Sequence, residues 1–478
     1  MLSQKRCMML QFAILAFIFL CLLPIAAKPS IWYDESFTIN IAQKSLPEVI
    51  RLTAQDVHPP FYYLIVKLFI SIGGTGFLVM RLPSLLCYAG LIIVSIFFFH
   101  RYFSPQCSLL VTVILCSVPN MFKYALELRM YSMSMLLVTS GAYVAYELML
   151  QYDKVENPPL RSVIYRWLLF AILGALSAYT HYFAGVASAA TALLLLVYLI
   201  FRRKQSHALL HWAGSCALMF LLYLPWLPTL LKQMRSIDGN YWIAPVTESN
   251  LHLYPEFLFS MPQDFLRTAL IVVFVTGSLL CILRIHRDTD SFWIVGCFGV
   301  ILLWMTFGIG YSMLRNPILI DRYLLVLFPL FWIPPAYGWM AQKNWLPILL
   351  LLFAFCCVNN YEMTYDDHAS LQQITLESYI KENAEENDIF FHFGMSGWCI
   401  NRVYFPEYEH YVVDSALNGC TDAFYTLTDG YAVESLDQIP DASHIWCFNG
   451  DWVGSFEALG YQIDSITVGN QEIYKLYK

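Results

Sequence analysis

Charge is what this chain has least of. Asp, Glu, Lys and Arg make up 13% of its 478 residues, where a soluble domain carries about 25%, and that excludes a wholly water-soluble protein. Metal-binding cysteine patterns are missing as well. The 13 cysteines include no CxxC pair and no His-rich ligand spacing, so a zinc knuckle is excluded. No GxxxG repeat and no internal duplication is visible, which counts against a transporter built from inverted repeats. A basic soluble region is lacking too. Residues 361–478 hold four Lys and Arg against 20 Asp and Glu, a balance of −16, whereas residues 1–360 hold 24 against 15, a balance of +9; together these give the net −7. An acidic tail repels phosphates, so nucleic acid is not an expected partner.

Apolar residues fill the rest, at 58% of the chain, with 16% aromatics and a mean hydropathy of +0.55. The organisation expected is a membrane domain over residues 1–360 and a soluble α/β domain over 361–478. A membrane-spanning helix takes about 20 mainly apolar residues, and about eleven segments qualify: 8–27, 82–100, 106–120, 130–150, 166–181, 184–201, 209–231, 266–284, 292–313, 318–341 and 345–358. The third and the last are short. The first is long for a cleaved signal peptide and reads as a retained anchor. HPPFYYLIVKLFISI at 58–72 carries Lys67 and reads as a helix lying in the interface rather than crossing.

Basic residues set the orientation. Lys5, Arg6, Arg101, Lys154, Arg161, Arg166, the run Arg202-Arg203-Lys204, Arg284, Arg287 and Lys343 all fall on one side, which is then cytoplasmic. The chain is read as a multi-pass protein of the cytoplasmic (inner) membrane, with its N-terminus inside and its acidic tail outside. In that outside tail a disulfide between two of Cys399, Cys420 and Cys447 stays open, with any pair equally readable. LQQITLESYIKENAEEN reads as a helix, DIFFHFG, HYVVD, FYTLT and HIWCF as strands, and SFEALGYQI as a helix ending at Gly460.

The same orientation gathers charged residues at the outer face. The loop 28–57 brings Asp34, Glu35 and Asp56, followed by His58; 121–129 brings Glu127 and Arg129; YTHYF at 179–183 brings His181 and Tyr182; LRNPILIDR at 314–322 brings Arg315, Asp321 and Arg322. Charges at membrane depth are costly and are retained for function. Carboxylates deprotonate a nucleophile or hold a divalent metal, and guanidiniums hold phosphate oxygens in pairs. The set suits group transfer from a lipid-linked phosphate.

The order WYDES, QDVHPPFYYLI, ALELRMYSM, YTHYFA, LPWLPTLLKQM, DRYLLVLFPL resembles the bacterial family-39-like glycosyltransferases of the GT-C class. These are similar to dolichyl-phosphate-mannose protein mannosyltransferases and to lipid A aminoarabinose transferases. The resemblance covers residues 8–360. It implies an α-helical polytopic membrane protein that moves a hexosyl or pentosyl group, with inversion, from a polyprenyl-phosphate sugar to an extracytoplasmic glycan, lipid or protein. It implies Asp34 as the base, with Glu35 and Asp56 the other catalytic candidates. It implies that Glu127, Arg129 and Tyr131 form an E-x-R-x-Y motif and that Arg322 meets the donor phosphate. Where the aminoarabinose transferases place a Lys before the Pro pair, this chain has His58, charged only in part near neutrality. His181 completes the donor- and substrate-binding candidates.

Each assignment has a structural rival. Asp34 and Glu35 suit the cap of a helix starting at Ser36. Glu127 and Arg129 also read as an interfacial pair. His181 reads first as a packed histidine bonded to a backbone carbonyl. Arg322 also reads as a residue reaching for headgroups, with Asp321 as its local partner. Trp226 and Trp242 read as interface anchors. No cofactor is assigned; a divalent metal on Asp34, Asp56, Glu127 and His181 stays open. The rival functions are a polytopic transporter or flippase of lipid-linked sugars, and a polysaccharide polymerase or ligase acting on pyrophosphate donors.

Overall fold

A computed structural model describes residues 3–155, 158–203, 206–237, 243–247, 249–368, 371–435, 438–440, 442–448, 453–468 and 471–477. Lys204 and Trp242 lie outside the described residues. The chain forms two compact units. One comprises Met1–Pro24, His58–Tyr62 and Arg81–Thr364; the other comprises Ile25–Val57, Tyr63–Met80 and Tyr365–Lys478.

The helices follow in chain order: α1 Gln4–Ala26, α2 Tyr33–Ala42, α3 Leu46–Gln55, α4 Phe61–Gly73, α5 Phe77–Tyr102, α6 Pro105–Leu115, α7 Met121–Leu126, α8 Tyr131–Lys154, α9 Leu160–Thr180, α10 Tyr182–Tyr198, α11 Ser206–Tyr223, α12 Leu227–Ser236, α13 Leu253–Leu258, α14 Asp264–Ile282, α15 Thr289–Leu314, α16 Phe328–Trp339, α17 Leu346–His368, α18 Leu371–Asn383, α19 Met395–Tyr404, α20 Asp422–Leu427 and α21 Val453–Ala458. Among the described residues nine stretches are long and apolar enough to cross a membrane, and α4 and α6 are shorter apolar helices. The protein is a polytopic helical membrane protein with a small sheet-bearing C-terminal region. Two of the eleven expected spans differ. Residues 106–120 form the short α6. Residues 318–341 break into a 3₁₀ segment, Asp321–Leu327, followed by the 12-residue α16. In the second of these, the polar Asp321-Arg322 pair stands in the 3₁₀ segment and Pro329 in the first turn of α16, where a missing N–H and a fixed φ start a new helix rather than continue one. At 13 residues, α4 spans about 20 Å, too short for a hydrocarbon core of about 30 Å.

In the first unit, close backbone approach positions the helices. A methyl group built on Gly338 of α16 would overlap the Gly277 carbonyl of α14, and one on Gly277 would strike Trp339 and the Pro335 carbonyl. Polar side chains inside the bundle are satisfied across helices: Gln11 Nε2 donates to Ser108 Oγ (2.8 Å) and Thr112 Oγ1 (2.7 Å), and its Oε1 meets His100 Nε2 at 2.5 Å. Buried hydroxyl and amide groups need such partners. An aromatic cluster with Phe98 stacked on Tyr143 (3.9 Å between centroids) and tilted against Trp293 fills the space between α5, α8 and α15.

The second unit is built on one mixed sheet of β1 Ile389–His392, β2 Glu409–Val413, β3 Ala432–Val433, β4 Ile445–Cys447, β5 Gln462–Val468 and β6 Gln471–Tyr477, in the order β3-β2-β1-β4-β6-β5. The first four strands are parallel; β6 pairs antiparallel with β4, and β5 antiparallel with β6 at the edge. The central strand β1 is buried along its length, as a parallel strand covered on both faces should be. FYTLT, expected as a strand, lies in and just beyond α20. Asp422 stands in its first turn, where an acid favours a helix N-terminus.

The segment 28–57, expected as an outer loop, folds instead into α2 and α3 within this second unit. Every residue from Glu35 to Ala42 is buried. Phe37 stacks on Phe424 of α20 at 4.6 Å, Asn40 Nδ2 donates to the Cys399 carbonyl of α19 at 2.9 Å, and Thr426 Oγ1 donates to Gln55 Oε1 at 3.0 Å. The α3 helix opens on a capping box, Ser45 with Glu48 at the third position and Pro47 in the first turn.

Candidate functional site

The sequence candidates divide between the two units. His58, Glu127, Arg129, Tyr131, His181 and Arg322 belong to the first, and Asp34, Glu35 and Asp56 to the second.

In the first unit, α5 and the turn before α8 supply the scaffold. Tyr62 shares a 2.7 Å hydrogen bond with Ser84, and the Ser84 hydroxyl reaches the Glu127 carbonyl (2.7 Å) and the Arg129 carbonyl (3.2 Å). Ser132 Oγ donates to the Tyr124 carbonyl at 2.9 Å. The backbone around Glu127-Leu128-Arg129 is thereby pinned on both sides, and both charged side chains are 3% exposed. Arg129 Nη2 donates to His58 Nε2 at 3.3 Å.

His181 sits between α9 and α10. Its Nδ1 accepts the Phe183 N–H at 3.2 Å, capping α10. The expectation of a bond to a backbone carbonyl is thus corrected to one from a backbone amide, because the N-terminal turn of α10 needs an acceptor. Rings surround it: Tyr323 edge-on at 4.7 Å, Phe183 and Tyr131 at 6.1 Å, His58 at 6.2 Å. Burial holds its imidazole far below the usual histidine range, and the neighbouring His58, Arg129 and Arg322 push the same way. Arg322 enters from the 3₁₀ segment, which packs on α8 and α10. Its backbone N–H is taken by Asp321 Oδ1 at 2.7 Å. Burial, then Glu127 and Tyr131, raise the Tyr124 phenol, with Arg322 opposing. Two guanidiniums, two imidazoles, the phenols of Tyr124, Tyr131 and Tyr323, and the Glu127 and Asp321 carboxylates thus share one neighbourhood. The sequence reading passed over Arg81, fully buried on α5; a lone Arg at the start of an apolar run carries no pattern.

In the second unit, α2 begins at Tyr33, three residues before the expected start. Glu35 is the third helical residue, and its Oε2 accepts the Trp32 N–H at 3.4 Å. Glu35 therefore holds a helix end. Asp34, beside it, is half-buried, and Asp56 is buried with Oδ1 accepting from Thr421 at 3.2 Å. Burial raises the Tyr33 phenol well above its ordinary range, helped by Cys399, Cys420, Asp34 and Asp56. These side chains form one cluster.

Among the described residues the metal-like trio is Glu385, Asp388 and His444. Asp388 is already taken: Oδ1 faces His444 Nδ1 at 2.8 Å, and Oδ2 accepts from Trp446 at 2.8 Å and from the Glu385 N–H at 2.9 Å. The trio reads as a structural clasp. All cysteines are free thiols in this structure.

No family model and no curated protein matches the chain. Solved structures do. ArnT from Cupriavidus metallidurans, in its apo state and bound to undecaprenyl phosphate, aligns with a TM-score of 0.66 at 11% identity, over 98% of this chain and 97% of that one. The Archaeoglobus fulgidus oligosaccharyltransferase in complex with Zn and sulfate aligns with a TM-score of 0.50 at 10% identity, over 97% of this chain and 73% of that one. The chain has the fold of the GT-C class of membrane glycosyltransferases.

Proposed function

We propose that the protein is a membrane glycosyltransferase that moves a sugar, with inversion, from a polyprenyl-phosphate donor to an acceptor outside the cytoplasmic membrane. The observation that carries this reading is the cluster around His181, where His58 bonds to Arg129 and both Arg129 and Arg322 stand close enough to act on the imidazole. Guanidiniums grip phosphate oxygens in pairs and keep their charge at any physiological pH. The same fold in Cupriavidus ArnT is solved bound to undecaprenyl phosphate. The WYDES motif proposes Asp34 as the base: its carboxylate would take the acceptor hydroxyl proton as that oxygen attacks the anomeric carbon. The bond from that carbon to the phosphate oxygen breaks, and the electron pair leaves on polyprenyl phosphate, held by Arg129 and Arg322.

The test is transfer of labelled hexosyl and pentosyl groups from synthetic polyprenyl phosphates by the protein in nanodiscs. Transfer in the wild type, abolished in an Arg129→Ala, Arg322→Ala double variant, supports the reading. Absence of transfer from every donor overturns it in favour of a transporter.

A further inference from the structure

The second unit contains a cavity of about 300 Å³ between α18, α19 and the ends of the sheet. That is the low end of small-ligand sites. We infer that it is a binding site for a neutral saccharide.

Three features point to that chemistry. The first is Asn401. It lines the cavity, is only 8% exposed, and its amide makes no hydrogen bond among the described residues. Its amide opens onto the cavity with two donors and an acceptor, and a ligand hydroxyl meets both kinds. The second is the aromatic wall. Phe405 and Phe448 line the cavity and belong to a set of near-parallel rings, Phe390 with Phe405 at 16° and with Phe448 at 13°. Flat faces aligned in this way suit the C–H face of a pyranose. The third is charge. No Lys, Arg or His stands among the described lining residues, so an anion finds no partner. The two carboxylates of the rim are engaged: Glu377 with Lys381 at 2.6 Å, and Glu472 with the Tyr474 hydroxyl at 2.7 Å. Each keeps lone pairs for a sugar hydroxyl. The helix that presents Asn401 is also the one whose Cys399 carbonyl accepts from Asn40 of α2.

The experiment is saturation-transfer NMR and titration calorimetry on the full chain in nanodiscs, free of glycoside detergent. The probes are methyl glucoside, methyl mannoside, methyl galactoside and a neutral disaccharide. Methyl glucuronide serves as the anionic control and methyl glucosaminide as the cationic one. The expected result is a millimolar dissociation constant for at least one neutral probe, with none for the glucuronide. Asn401→Leu should weaken binding at least tenfold without shifting the unfolding temperature. Ser396→Trp, at an exposed position on the cavity rim, should block binding in a chain whose core is untouched. No neutral probe bound at 50-fold above the millimolar range, binding of the glucosaminide alone, or equal binding in both variants overturns the site. If the wild type binds the glycoside but transfers no sugar from any donor, the cavity stands and the enzyme reading falls.

Discussion

Arg129 donates to His58 across 71 residues of chain, at 3.3 Å. The bond needs an unprotonated Nε2 on His58, because the guanidinium offers only donors. His58→Gln preserves an acceptor, and His58→Leu removes it. A hydrogen bond to a charged group contributes about 1.5–3 kcal/mol. The Leu variant should therefore raise the donor KM roughly tenfold or more, while the Gln variant stays within about threefold. Equal KM values for the two would remove this bond from donor binding.

Arg322 is expected to act as a fork rather than as a point charge. Arg322→Lys should weaken polyprenyl-phosphate binding on the order of tenfold, and Arg322→Ala further. Acceptor KM should stay unchanged. Binding of labelled polyprenyl phosphate, measured directly, checks this apart from turnover.

Two adjacent carboxylates are assigned different work. Asp34→Asn should lower transfer by about 10²–10⁴-fold with donor binding intact. Glu35→Gln keeps an acceptor for the Trp32 N–H and should leave transfer within a few-fold. Glu35→Ala should cost about 1 kcal/mol of stability through the lost cap. A large transfer defect in Glu35→Gln would exchange the two roles.

The long spans α1, α5, α8, α9 and α10 were legible because apolar runs of that length have no other use. The charges at their ends were legible for the same reason. The structure of 28–57 was not. Its helices α2 and α3 earn their burial from α19 and α20, over 350 residues downstream, and no local period announces a partner that distant. The third-position role of Glu35 was hidden behind a helix start placed at Ser36 instead of Tyr33. FYTLT misled because a β-rich composition yielded to a helix start at Asp422. The cluster around His181 was half legible. YTHYF and DRY marked its members, but their mutual contacts belong to the packing.

The sheet carries a buried histidine pair, His392 Nε2 to His410 Nδ1 at 3.0 Å, with His410 Nε2 facing the Phe405 carbonyl at 2.8 Å. Burial pushes His410 down to about 4, and His392 also falls well below its usual value through burial and then its neighbour His410. Both folded values lie below the unfolded one. Their contribution to stability is complete above pH 6.5 and is lost as the pH falls toward 4. Hydrogen exchange of 389–413, corrected for intrinsic rate, should lose protection over that window. His410→Phe should flatten the dependence, and an unchanged profile would count against it.

The basic-loop bias expects the C-terminal sheet outside. Ser465→Cys, at an exposed strand position and in a chain stripped of its native cysteines, should react with an impermeant maleimide in intact cells. Labelling only after permeabilisation would reverse the orientation and invalidate the shared outer face.

The Gly277–Gly338 crossing acts at a distance. A helix cannot slide along its neighbour where two backbones touch, because any added atom collides. The crossing therefore fixes the axial register of α16, and α16 continues directly from the 3₁₀ segment that begins at Asp321. The depth at which Arg322 stands is thus set sixteen residues away, by two residues with no side chain. A methyl group on either would move the Arg322 side chain, which it never meets.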